Sequence, residues 1–293
     1  MIKENIVSLV DGFTVELNPK VRHKLKSIPL DKKNNVYITY LPDATENDIL
    51  ETVDFVSKQE LTPITHLPAR TMKDLDHVSD FLKELRNRTD SKKILVIGGG
   101  GNQNGSVSSS LEILECGLLK DNDFEEIGIA GHPEGSPDID QNTVNEFLNK
   151  NYELSKDKNL NLELVTQFFF NAEPFIKWCK FLDNSNIKLP VRVGFPGPAS
   201  FKTLLNFGIM SGVGNSLSFL KKNSSKVTDL LTKTSNDEMF IELANFSKEQ
   251  SSFKNFHCFP FGGFEKTCHW LNALQNGDFT MENDKIVLHN KIF

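Results

Sequence analysis

Cysteine is scarce: Cys116, Cys179, Cys258 and Cys268 are the four in 293 residues, and no two form a C-x-x-C pair. That spacing argues against both a disulfide framework and a structural zinc site, and no metal is expected. Basic charge is in deficit as well, with 33 Lys and Arg against 39 Asp and Glu for a net charge of -6. Without a cationic excess to displace counterions, neither nucleic acid nor an anionic membrane surface is an expected partner. Phosphorylated small molecules stay open, because backbone amides bind phosphate without net positive charge. The chain has no run of about 18 apolar residues, the length that a membrane-crossing helix needs. Its first ten residues carry Lys3 and Glu4 rather than the unbroken apolar core of a signal peptide. A cytoplasmic protein is expected. Linkers, low-complexity tracts and internal repeats are also missing, so one domain spanning 1–293 is the expectation.

What the chain does have is alternation. Short β-rich runs at 13–17, 36–39, 63–66, 94–97, 127–130, 164–168, 191–193 and 256–260 are each followed by a segment of helical spacing. The helical segments lie near 44–58, 73–88, 108–117, 142–158, 174–183, 200–210, 237–250 and 265–275, with extra helical material across 211–250. Glu46 and Asp48 place acid in a first turn, and Thr71 is a candidate N-cap for the third segment. Nearly all-apolar runs suit parallel strands buried on both faces. The fold class expected is α/β, a single-domain (β/α)8 TIM barrel; a doubly wound open sheet shares the same alternation.

In a barrel, chemistry sits at the C-terminal ends of the strands, and polar residues gather there. Glu16 lies within the apolar run Phe13-Thr14-Val15-Glu16-Leu17, where burial favours a protonated carboxyl fit for general acid work. A rim glutamate paired with a lysine is the other reading. Thr39 and His66 end the second and third runs. Gly98, Gly99 and Gly100, continued by Gly101, follow the fourth. Glycines let a backbone approach a flat ring or a phosphate closely, whereas a purely structural run of them costs roughly 1 kcal/mol each in ordering. They do not form G-x-G-x-x-G, so no dinucleotide fingerprint is read.

The fifth run leads into Gly131-His132-Pro133-Glu134-Gly135-Ser136-Pro137-Asp138, two prolines for stiffness, two glycines for close approach and an imidazole to stack. Gln167 precedes Phe168-Phe169-Phe170; an amide among aromatics must be hydrogen-bonded or costs about 1–3 kcal/mol, and it suits the edge of a heterocycle such as a pterin. His257 and Cys258, being adjacent, point to opposite faces of a strand and do not make a metal pair. His23, His77 and His289 read as surface residues. No G-x-S-x-G elbow occurs.

Thr14-Val15-Glu16-Leu17, Ala130-Gly131-His132-Pro133-Glu134-Gly135 and Val165-Thr166-Gln167-Phe168-Phe169-Phe170, in that order and spacing, resemble the methylenetetrahydrofolate reductase family. The resemblance runs from about residue 12 to 273. It includes Gly194-Phe195-Pro196-Gly197-Pro198 on the seventh run and Phe256-His257-Cys258-Phe259-Pro260-Phe261 on the eighth.

It implies FAD as cofactor, NADH or NADPH as co-substrate, a tetrahydrofolate substrate and a homo-oligomer. Glu16 then matches the general acid, while Gln167, Phe207 and Thr14 fall on the substrate side. Flavin contacts are implied for Thr39, His66, Gly98, Gly99, Gly100, Ser108, Gly131 and His132, the last in place of a tyrosine. Ser136 stands where the family has a histidine, Gly263 near an expected basic residue, and Lys150 nearest the basic diphosphate-binding positions.

The family's fourth strand ends in a triplet closed by aspartate, where this chain has Gly100. A neutral residue there is expected to ease formation of the anionic reduced flavin, and so to favour hydride abstraction from 5-methyl-tetrahydrofolate over its formation. A flavin-independent reductase of the same fold, a non-catalytic folate-binding barrel and an unrelated barrel hydrolase or aldolase remain alternatives.

Overall fold

Period-two alternation divides each strand between an outward and an inward face, and here the two faces differ in kind. The computed structural model describes residues 2–100, 102–136, 139–211, 213, 237–248, 250 and 252–290. Of the sequence features above, Gly101, Pro137, Asp138 and most of 211–236 lie outside the described residues. Strands β1 (Thr14–Leu17), β2 (Asn35–Ile38), β3 (Thr62–Pro68), β4 (Lys93–Ile97), β5 (Glu126–Gly131), β6 (Asn161–Thr166), β7 (Val191–Pro196) and β8 (Phe253–Phe259) pair in parallel. They close when β1 meets β8, Thr14 pairing with His257 and Val15 with Cys258. The chain is a single-domain (β/α)8 barrel, not an open sheet.

Outward positions are mainly apolar: Val15, Leu17, Val36, Ile38, Ile94, Val96, Ile127, Ile129, Leu162, Leu164, Val193, Phe256 and Cys258 all enter the main core beneath the helices. Those helices are α1 (Ile2–Val10), α2 (Glu46–Lys58), α3 (Leu75–Arg88), α4 (Ser110–Glu115), α5 (Leu118–Asp121), α6 (Gln141–Lys158), α7 (Ala172–Asn184), α8 (Phe201–Met210), α9 (Asp237–Phe246) and α10 (Phe264–Gln275). Their starts follow local chemistry. Thr45 accepts from the Asp48 amide and Asp48 caps back to Thr45, closing a capping box on α2. Asp140, Asn171 and Ser200 cap α6, α7 and α8 with their side-chain oxygens.

Four local expectations need correction. Asp74, not Thr71, caps α3, accepting from the His77 amide at 2.8 Å, because Thr71 is used up in a 3-10 turn at Ala69–Thr71. Strand β6 stops at Thr166: the Gln167 side chain takes the Phe168 amide at 3.0 Å and so turns the chain away from the ladder. The helix expected near 108–117 divides at Gly117, which adopts φ +85. His77 is not a free surface side chain; its Nε2 lies 2.5 Å from the Glu46 carboxylate. Helix α1, the 3-10 segment Pro19–Ser27 and a hairpin of β9 (Phe279–Glu282) and β10 (Lys285–Leu288) were not anticipated.

Inside the barrel the chemistry is mixed. Tyr37, Ile64, Leu95 and Val165, with Ile97, form a separate apolar layer. Beside it lies a buried ionic layer. Arg192 Nε donates to Glu163 Oε1 at 2.6 Å and its guanidinium to Asn255 Oδ1 at 2.7 Å, while Lys254 Nζ reaches Glu163 Oε2 at 2.8 Å. Burial opposes ionisation of Glu163, but the two cations outweigh it and hold the carboxyl below its ordinary range. Tyr37 connects this layer to the barrel mouth: its hydroxyl donates to Glu163 at 3.2 Å, and its ring stands edge-on to His257 and His66.

Candidate active site

The inward positions at the C-terminal end of the barrel bring Glu16 between two imidazoles. Glu16 Oε1 lies 3.5 Å from His257 Nε2 and 3.7 Å from His66 Nε2, with side-chain exposures of 17%, 1% and 9%. All three occupy inward parity on β1, β8 and β3, which is why residues distant in sequence converge. His257 is fixed from below, its Nδ1 2.9 Å from Thr14 Oγ1. His66 Nε2 is buried with no hydrogen-bond partner. Burial drives its pKa down to about 4; an ionised Glu16 pulls the other way and His257 adds to the fall. At neutral pH His66 is therefore an uncharged ring with an unsatisfied nitrogen beside the carboxyl. A buried polar atom without a partner is costly.

From His257 a line of rings leads outward. Phe259 stands edge-on to His257 at 5.0 Å between centroids, Phe168 and Phe259 meet at 5.4 Å, Phe168 and Phe261 at 4.7 Å. Phe261 stacks on Phe207 of α8 at 4.0 Å and 15°. Phe207 is thus joined to the mouth through an aromatic wall, half-buried and held by α8. Gln167 follows the inward parity of Glu163 and Val165, and its amide donates to Gly131 O at 2.8 Å, tying the ends of β5 and β6. Gly194 on β7 makes that approach possible, since an added Cβ would lie 2.3 Å from Thr166 O and 2.7 Å from Gln167 O.

The other sequence candidates are placed unevenly. Thr14 and Thr39 are buried; Thr39 donates to Leu17 O at 3.3 Å and so braces the end of β1 just past Glu16. Gly98, Gly99 and Gly100 follow β4. Gly99 needs its positive φ of +85, with a Cβ only 2.9 Å from Pro68, while a Cβ on Gly98 or Gly100 would meet no described atom within 4 Å. Gly131 is buried against Trp178, and burial lowers the pKa of neighbouring His132. Ser136 sits in the loop leading to α6. Ser108 is turned to helix capping, its amide and hydroxyl both bonded to Glu112. Lys150 is exposed, nine residues into α6 and so about 14 Å along the helix from its start, its ammonium over Phe147. The structure does not bring Ser108 or Lys150 to the Glu16 cluster.

Two contributors were not singled out from sequence. His257 was set aside with Cys258 as a failed metal pair; the signal that finds it is inward parity on the closing strand, shared with Asn255 and Phe259. Arg70 follows β3, its amide bonded to Gly98 O and its carbonyl to the Asn104 amide. Its half-buried guanidinium has no ion pair among the described residues. Cys258, on the outward face, is sealed from solvent and burial pushes its thiol well up. Among the described residues no His, Cys, Asp and Glu group has the arrangement of a metal site, and no helix is long and apolar enough to cross a membrane.

Comparison with known proteins places the architecture. No family model matches the sequence. An uncharacterized protein from Clostridium thermocellum that binds two copies of 5-methyl-5,6,7,8-tetrahydrofolic acid superposes with a TM-score of 0.56 at 13% identity, over 90% of this chain and 93% of that one. The likeness is one of barrel fold. A tryptophan synthase from M. tuberculosis matches at TM-score 0.41 and 12% identity over 72% and 85% of the two chains. An N-acetylneuraminate lyase from Fusobacterium nucleatum does so at 0.40 and 10% over 81% and 80%.

Proposed function

We propose that the barrel mouth binds a tetrahydrofolate and interconverts its 5,10-methylene and 5-methyl forms, with Glu16 as the proton donor to the pterin. The observation that carries this reading is the partly buried Glu16 carboxyl, flanked by His66 and His257, the latter joined to the wall of Phe259, Phe261 and Phe207. A partly buried acid near flat apolar rings suits a ring system with basic nitrogens. Gln167, whose side-chain oxygen takes the Phe168 amide, would offer its NH2 to the pterin edge. The methyl-tetrahydrofolate bound by the C. thermocellum barrel of the same architecture supports the choice of ligand.

The residues present also fit a flavin. The orphaned His66 Nε2 offers a polar contact for the ring edge, and the open faces of Gly98 and Gly100 leave room for a plane. Arg70, beside that loop, supplies the cation that Lys150 does not bring. FAD, when bound, would carry hydride between NADH or NADPH and the folate. Thr39, His66, Gly98 to Gly100 and His132 would hold its ring and Arg70 its diphosphate. The protein's own task is to orient the pterin against it, exclude water and hold a proton at Glu16.

The test is a visible absorption spectrum of the purified protein, followed by anaerobic addition of 5-methyl-tetrahydrofolate. Yellow protein bleached by the folate is the expected result. Glu16→Gln should keep the colour and lose about 10²–10⁴-fold in folate turnover, the usual weight of a general acid. Colourless protein that turns over folate would reject the flavin, folate binding without turnover would reject the enzyme, and Glu16→Gln at full rate would reject the acid.

A further inference from the structure

Thr14 Oγ1 has two neighbours, the Phe256 carbonyl at 3.4 Å and His257 Nδ1 at 2.9 Å. A threonine hydroxyl has one proton to donate. Phe256 O can only accept, and sending the hydroxyl proton to it is an arrangement that satisfies all three atoms. His257 Nδ1–H then donates to the hydroxyl oxygen. In a neutral imidazole, a proton on Nδ1 leaves a lone pair on Nε2. That lone pair faces Glu16 Oε1 at 3.5 Å. Two oxygen lone pairs and a nitrogen lone pair repel; a carboxyl O–H between them attracts.

We propose that Thr14 locks His257 in its Nδ1–H tautomer, making His257 a positioning residue whose Nε2 lone pair faces Glu16 and can accept from its carboxyl when that carboxyl carries a proton. The inference rests on the folate reading for its purpose, but its geometry stands in the ligand-free chain. The groups facing His257 favour it from every side. Glu16 on β1 is its acid partner and Tyr37 on β2 packs its ring edge-on at 4.5 Å. His66 on β3 is held uncharged by burial, Gly194 on β7 pairs with it without a side chain, and Phe259 on its own strand closes the outer side. Arg192, the nearest buried cation on β7, is engaged by Glu163 and Asn255.

When Glu16 gives its proton to a pterin nitrogen, the O–H bond breaks, the N–H bond forms, and the carboxylate is left opposite a lone pair. That repulsion resolves when a proton from solvent returns to the pair. His257 thus acts on the Glu16 proton without touching substrate.

The experiment uses the full chain labelled with 15N-histidine and reads each imidazole nitrogen by NMR, with 5-methyl-tetrahydrofolate binding measured in parallel. Expected is a neutral His257 protonated at Nδ1 in the wild type, loss of that preference in Thr14→Val, and its return in Thr14→Ser. The pH profile of folate turnover should move in Thr14→Val, a change that a merely structural threonine would not cause. His257 protonated at Nε2 in the wild type, or a tautomer and pH profile indifferent to Thr14→Val, overturns the proposal. Should Thr14→Val fail to fold, the wild-type tautomer still decides. Absence of folate binding with the Nδ1–H tautomer intact would overturn the folate reading and support the lock.

Discussion

His66 gives the molecule a pH-dependent stability of calculable sign. In the unfolded chain its imidazole takes up a proton near 6.5, but in the folded protein burial delays protonation to about 4. A base with a depressed folded-state pKa stabilises the fold fully above the unfolded value and loses that stabilisation as pH falls towards the folded one. The loss attributable to His66 is about 2 kcal/mol at pH 5 and about 3 kcal/mol near pH 4.

Urea denaturation at pH 7 and pH 5, for the wild type and for His66→Gln, measures it. The glutamine does not titrate, so its stability should fall between those pH values by about 2 kcal/mol less than that of the wild type. His132, also depressed by burial, contributes equally to both proteins and cancels. Glu163 loses its own stabilising effect only below its unfolded value of 4.5, outside the window. Equal declines in the two proteins would mean that water or a compensating charge reaches the ring, and that the enclosed, uncharged imidazole described for the mouth is wrong.

Three further outcomes follow from the same geometry. Gly194→Ala drives a methyl into Thr166 O and Gln167 O and strains the 2.7 Å bond from Gly194 N to Thr166 Oγ1. About 2–4 kcal/mol of stability should be lost and folate affinity should fall with it; a variant as stable as the wild type would show that the β6 end is free to move. Arg192→Met leaves Glu163 buried without its main partner, and a loss of about 3–5 kcal/mol is expected by urea titration; a much smaller loss would mean that Lys254 suffices. Gly100→Asp enters open space, so it should fold normally and, with flavin bound, lower the potential that the neutral wild-type loop allows. A wild-type potential at or below that of the variant refutes the charge argument.

The barrel was legible because its outward residues are mostly apolar: Val15, Val36, Ile94, Ile127, Leu164 and Val193 mark strands whatever lies within. The site was legible in part. Glu16 and Gln167 announce themselves as polar residues in apolar runs; the structure puts Glu16 on inward parity at the C-terminal end, and Gln167 just past β6 with its side chain on the Phe168 amide. His257, Glu163 and Arg192 carry the same signal, but a neighbouring cysteine drew attention from the first, and the others read as charges on short strands that need not be inside. Ser108 and Lys150 show the converse difficulty. A motif alignment gives order along the chain, whereas helix capping at Glu112 and the rise of α6 decide where a side chain ends up.

The buried ionic layer of Glu163, Arg192 and Asn255 also has a consequence for traffic. Together with Tyr37, Ile64, Leu95 and Val165 it fills the barrel interior like a cork among the described residues. On the proposed function, a folate would therefore meet that carboxyl from the C-terminal end of the strands.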